Sequence, residues 1–222
     1  MLTVVTFKWR GWRGDTYKAE HVNNLQRMLA MYLTIPHRLV CVTDDPAGIE
    51  CETVPLWADE HFKNYPKYLP NCFRRLFLFS QEAVDLFGPR VLQIDLDCII
   101  TGNIDDLITD DPFRIVKGMC APYNGSMWLL NAGMRPDIWS GLSLQAAKVA
   151  QKQRFNGRRF YGSDQAIMSH QIPGAPTWSV ENGVYSYSAH IRGNVIPEDC
   201  KIIFFAGSTK PWDSPLKGVY WV

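Results

Sequence analysis

The sequence predicts an α/β fold: a mixed, mainly parallel sheet flanked by helices. Three observations carry this. Apolar, β-branched runs alternate with amphipathic stretches in the first hundred residues. One run, 91-VLQIDLDCII-100, has the composition of a buried strand yet holds two aspartates. Hydrophobic residues make up 46% of the 222-residue chain, enough for a sizeable core and against wholesale disorder.

The elements follow in order. Residues 2–7 read as a buried strand, and KWRGWRGD after it as a loop. Over residues 21–32, Val22, Leu25, Met28, Leu29 and Tyr32 recur at spacings of three and four, which makes one helical stripe closed by Pro36. Residues 38–42 form a second strand, T-D-D-P a turn, and 51–56 a shorter strand. Residues 57–71 are irregular, and 73–86 read as one helix ended by Gly88-Pro89. Residues 91–99 are the strongest strand, followed by a short helical piece at 104–107. Further on come a strand within 120–130, a helix at 143–153, a loop at 154–164, a short helix at 164–170 capped by Ser163 or Asp164, and a last strand at 201–205.

Charge and cysteine content exclude some functions. With 23 basic and 22 acidic residues the net charge is +1, so nothing steers the whole chain toward nucleic acid. The six cysteines are scattered without a C-x-x-C pair, which argues against a zinc site. No apolar run reaches the roughly 18–20 residues that span a bilayer. The amino terminus, broken by Lys8 and Arg10, lacks a signal-peptide core. A cytoplasmic protein without a transmembrane segment is expected.

In a strand, residues i and i+2 face one side, so Asp95 and Asp97 point together near its carboxyl end, where α/β sheets bind ligands. Adjacent carboxylates repel unless a proton or cation lies between them. Mg²⁺ or Mn²⁺ bridging carboxylates to phosphate oxygens is the simplest solution. Two other readings stand beside it. The pair can simply bond loop amides. It can also belong to a haloacid-dehalogenase-type phosphatase, although D-x-D opens such chains and no downstream acidic pair is evident here.

The surroundings favour the metal. The run 94-IDLDCIITGNIDDL-107 resembles the D-x-D segment of glycosyltransferases with the Rossmann-like GT-A fold, most closely family 8, the glycogenin and bacterial galactosyltransferase type. Other segments resemble the same family in the same order: TFKWRGW, VNNLQRML, HRLVCVTDD, 73-FRRLFLF-79, 124-NGSMWLLN-131 (with Ser126 for a family glycine), 163-SDQAIM-168 and 205-FAGSTKPW-212. The resemblance implies a single GT-A-like domain over 1–222, with a nucleotide-binding half at 1–100 and an acceptor and sugar half at 101–222.

The same resemblance implies a metal-dependent, retaining transfer from a nucleotide-diphosphate sugar, a uridine diphosphate sugar by likeness, to an unidentified acceptor. Asp95 and Asp97 would hold Mn²⁺ or Mg²⁺. Arg75, with Arg74 as alternative, would meet the donor; Lys210 and Gly207 would meet its phosphates, and Asn124 its sugar, ahead of Asn131. Thr6, Lys8 and Trp9 would lie by the base. Asp164 and Gln165 would stand at the reacting centre. Several also have a plainer reading: Trp9 as core, Asp164 as helix cap, Arg75 as a helix ion pair; Asp44 and Asp45, candidates for ribose hydroxyls, also read as ordinary turn residues. The basic set Lys152, Arg154, Arg158 and Arg159 reads first as a solvated loop and second as a contact for an anionic acceptor. One departure stands out: the family's third metal ligand, a His, falls on Phe205, or on Ala206 with a shift of one. A degenerate GT-A domain that binds without turnover is therefore the rival, and His190 a possible substitute ligand.

Overall fold

A computed structural model of the chain describes residues 1–10, 16–57, 71–119, 121–160 and 164–222. The elements are β1 (Leu2–Lys8), α1 (Ala19–Tyr32), β2 (His37–Thr43), β3 (Glu52–Pro55), a 3₁₀ segment (Asn71–Phe79), α2 (Glu82–Phe87), β4 (Arg90–Ile94), β5 (Cys98–Ile100), β6 (Phe113–Lys117) and β7 (Tyr123–Asn131). They continue with α3 (Pro136–Ser140), α4 (Leu144–Lys152), β8 (Arg154–Phe155), β9 (Arg158–Arg159), α5 (Asp164–Gln171), β10 (Thr177–Trp178), β11 (Val184–Ser186), α6 (Tyr187–His190), β12 (Ile202–Phe204) and α7 (Lys217–Tyr220).

The main sheet has seven strands in the order β10-β6-β7-β4-β1-β2-β3. Only β7 runs against the others, pairing antiparallel with both β4 and β6. The sheet is thus mixed and mainly parallel, as the sequence predicts, and it draws strands from both halves of the chain. All seven residues of β1 are buried. Its alternation feeds two cores: Leu2 and Val4 face α1 through Val22, Leu25 and Met28, while Val5 and Phe7 face the 3₁₀ segment, α4 and α5.

A second sheet, β11-β12-β5, stands beside the first. This corrects the expectation of one strand over 91–99. The ladder of β4 with β7 ends at Ile94, and β5 resumes at Cys98 in the other sheet, antiparallel to β12. The D-x-D residues are the joint between two sheets. Both backbone ends of that joint are tied: Asp95 N–H donates to Ser126 O at 2.9 Å, and Asp97 O accepts from Phe205 N–H at 2.9 Å.

Two other expectations change. The helix over 73–86 is two pieces, the 3₁₀ segment and α2, separated at Ser80-Gln81; Gly88, at φ +81°, ends α2 as expected. The stretch 154–164 is not all loop. Asn156 and Gly157, both at positive φ, make the two-residue turn of the β8–β9 hairpin. Ser143, just before α4, caps it by accepting from Ala146 N–H. Ser163, Cys120 and most of the 57–71 stretch lie outside the described residues.

Candidate active site

The joint between the sheets opens onto a cavity of about 700 Å³, whose wall includes Arg75, Asp95, Asp97, Asn124, Gln165 and Gly207. These come from six places in the chain: the 3₁₀ segment, the two ends of the joint, the start of β7, the start of α5, and the loop after β12. Six of the residues picked out from sequence therefore meet at one wall, although the D-x-D pair does so from an irregular joint and not from a strand.

Arg75 is the hub. Its side chain is 7% exposed, and its Nε and Nη2 lie 2.7 and 2.6 Å from one carboxylate oxygen of Asp164. Its Nη1 donates to Asp95 Oδ1, which also accepts from Gln93 Nε2 at 3.0 Å. Burial opposes the guanidinium charge, but the two carboxylates outweigh it and hold the Arg75 pKa well above its ordinary value. Asp95 is pushed up to about 6, first by burial and then by the neighbouring Asp97, with Arg75 pulling the other way.

Asp97 has a separate set of partners. Lys210 Nζ donates to its Oδ2, and the Tyr17 hydroxyl donates to the same oxygen at 3.1 Å. Lys210 also lies 3.3 Å from the Tyr17 hydroxyl and 5.5 Å from the centre of its ring. Burial, then Asp97, drives the Tyr17 pKa far up, so the phenol stays a donor. Tyr17 in turn packs edge-on against His21 and Trp212, which stack on each other at 3.8 Å.

The remaining predicted residues divide between the wall and the interior. Asp164 is 2% exposed and held by Arg75 behind the wall, while its neighbour Gln165 reaches the cavity and accepts from Gly125 N–H at 3.2 Å. Asn124 lines the cavity, and its Oδ1 accepts from Ser126 N–H at 2.9 Å. Thr6 is fully buried, and its hydroxyl has no partner among the described residues. Lys8 is tied to Asp45, by its Nζ to the backbone oxygen at 2.8 Å. Trp9 packs edge-on against Phe7, with the Arg74 guanidinium 5.9 Å over its ring. None of these three belongs to the cavity wall.

Sequence reasoning missed three contributors. Gln93 carried a readable signal, a polar residue two before Asp95 in an otherwise apolar strand. Gly125 is needed because a Cβ there would lie 2.9 Å from Arg75 Nη2. Tyr17 had no signal, since its contacts span 80 and 193 residues.

At the position of the absent His, Phe205 is buried and stacks on Tyr187 at 4.4 Å. His190 faces the same cavity, but its Nδ1 accepts from Ser186 N–H. Among the described residues, no three His, Cys, Asp or Glu side chains converge as a metal site. The donor set is two carboxylates. Counting Asp164, three carboxylates face the two cations Arg75 and Lys210, which leaves one net negative charge. A diphosphate adds more. Two carboxylates with spare oxygens in a net-negative pocket fit a hard divalent cation completed by phosphate oxygens.

Among solved structures, LgtC, an active-site glutamine-to-glutamate form, is 13% identical with a TM-score of 0.58, over 95% of this chain and 89% of that one. GlyE of Streptococcus pneumoniae is 14% identical with a TM-score of 0.63, over 100% of this chain and 60% of that one. The bifunctional glycosyltransferase WbbM is 12% identical with a TM-score of 0.62, over 99% and 48%. The fold is that of the GT-A glycosyltransferases. The chain spans most of LgtC but less than two thirds of GlyE and about half of WbbM. LgtC is a galactosyltransferase also solved with donor and acceptor sugar analogues. No protein-family model matches the sequence, and no curated protein sequence does.

Proposed function

We propose that this protein is a glycosyltransferase, moving a sugar from a nucleotide-diphosphate donor, a uridine diphosphate sugar, to an acceptor in the cavity, with retention at the anomeric carbon. One observation carries the reading. On a GT-A fold, Arg75 links the D-x-D joint to the helix that presents Gln165, so the diphosphate end and the sugar end of a donor would share one rigid frame.

Asp95 and Asp97 would hold Mn²⁺ or Mg²⁺, which supplies charge neutralisation for a departing diphosphate. Lys210, released from Asp97 by the donor, places a point charge on the phosphates. Gly207, at φ +109°, lets that loop's backbone turn close to them. The Asn124 amide donates to a sugar hydroxyl. The Gln165 side-chain oxygen faces the positive charge that develops on the sugar. A glutamine substitution in the LgtC active site is in keeping with this role. Asp164, paired with Arg75, positions that residue and is not a base. Trp9, half-buried at the end of β1, would stack on the base, while Thr6 and Lys8, buried outside the cavity wall, would make no donor contact.

Among the described residues Cys41, Cys51, Cys98 and Cys200 are free thiols, as suits work in the reducing cytoplasm. No helix among the described residues is long and apolar enough to cross a membrane. The phosphatase alternative loses its ground, because the D-x-D segment joins two sheets of a GT-A fold. The degenerate-domain alternative keeps one support, Phe205 in the place of a ligand. Incubation with a panel of uridine diphosphate sugars and Mn²⁺ separates the two. Release of the nucleoside diphosphate supports the enzyme; tight donor binding with no release from any sugar supports the degenerate domain.

A further inference from the structure

Two pairs of like charges lie on consecutive elements outside the cavity wall. On α4, Lys148 and Lys152 are four residues apart and both exposed. On the adjoining hairpin, Arg154 pairs directly across from Arg159, and both are exposed. Like charges at either spacing repel and weaken the element that carries them. Among the described residues no ion pair relieves any of the four, and residues 138–163 contain no Asp or Glu. Arg154 donates to the Gly157 carbonyl, which tightens the hairpin turn. A chain with a net charge of +1 thus gathers five basic residues over 148–159. Two separate self-repulsions, adjacent and unrelieved, mark a surface that is completed by negative charge from outside.

We propose that Lys148, Lys152, Arg154 and Arg159 dock this protein on the anionic phospholipid headgroups of a bilayer. The shape of the patch selects this partner. The four side chains are exposed on a helix and a hairpin outside the cavity wall, so they suit an open surface and not an enclosed ligand. Val149, 37% exposed, adds an apolar side chain beside Lys148. The neighbouring aromatics, Phe155 and Phe160, are half-buried and offer no open platform on which nucleobases stack. Membrane attachment must be peripheral for the described residues. The hairpin precedes α5, whose second residue, Gln165, reaches the cavity, so docking would hold the cavity near the headgroups. The inference is independent of whether the cavity turns over a donor.

Flotation of the full chain with vesicles of equimolar phosphatidylcholine and phosphatidylglycerol tests it, with pure phosphatidylcholine alongside. Binding is expected only to the anionic vesicles and is expected to fade with added salt. Each basic side chain at such a surface contributes roughly fivefold in partition, so Arg154→Ser with Arg159→Ser should weaken binding about 25-fold. Removing equal charge elsewhere, by Arg27→Ser with Lys217→Ser, should leave binding within about twofold; circular dichroism verifies that both variants are folded. No binding to anionic vesicles overturns the proposal, as does equal loss in both double variants. Retention on duplex DNA or a sulfated polysaccharide without vesicle binding overturns it in favour of those polyanions. Vesicle binding without nucleotide release would leave docking standing and remove the transferase reading; release without vesicle binding would do the reverse.

Discussion

Arg75 grips a single carboxylate oxygen of Asp164 with two nitrogens, at 2.7 and 2.6 Å, in a place where neither side chain is more than 7% exposed. Breaking a buried pair from one side leaves the other charge without compensation, which costs about 3–5 kcal/mol. Asp164→Asn and Arg75→Met are each expected to lower the unfolding free energy by that order, read as a fall in the urea midpoint. Arg75→Met with Asp164→Leu should recover part of the loss, because the Asp164 charge goes with its partner while Asp95 still loses its cation. It should not recover donor binding. A single variant with an unchanged midpoint would mean that the pair is solvated and not the hub of the site.

Gly125→Ala separates close packing from backbone strain, since the glycine is not at positive φ. The added methyl meets the Arg75 guanidinium at 2.9 Å. Overpacking of this kind costs about 1–3 kcal/mol. Calorimetric titration with a uridine diphosphate sugar should show donor affinity reduced more than stability. Normal affinity in a folded Gly125→Ala protein would argue that Arg75 is free to move.

The buried His21 makes stability depend on pH. Its Nδ1 accepts from Lys18 N–H at 3.0 Å, a bond that only the neutral ring can accept. Burial lowers its pKa to about 4, against about 6.5 in an unfolded chain. The unfolded state therefore takes up the proton first. The His21 contribution is complete above pH ~6.5 and declines as the pH falls toward about 4, by at most about 1.4 kcal/mol per unit. Urea midpoints at pH 7 and 4.5 should differ more in the wild type than in His21→Phe. Equal differences would place the acid sensitivity elsewhere.

What could be read from the sequence followed the range of the interactions. Strands such as β1 and β2, and the stripe of α1, are set by neighbours within one element, and their periodicity showed them. The D-x-D pair was visible because carboxylates in an apolar run demand a reason. The break between β4 and β5 was not, because two sheets share that segment and an apolar run looks alike in either. The partners of the site were legible only where a motif named them, as with Arg75 and Lys210. Tyr17 and the Asp164 burial depend on contacts 80 or more residues apart. The hairpin at Asn156-Gly157 was missed although N-G carries a turn signal, because the basic residues around it read as a loop.

The central claim is that Asp97, now held by Lys210 and Tyr17, receives a cation together with the donor diphosphate. Titration calorimetry of a uridine diphosphate sugar, with and without Mn²⁺, on wild type and Asp97→Asn, tests it most directly. The expected result is tight binding by the wild type only with Mn²⁺, and at least a roughly tenfold loss in Asp97→Asn, which removes one charged ligand. Equal donor affinity with and without Mn²⁺ in both proteins would contradict the account.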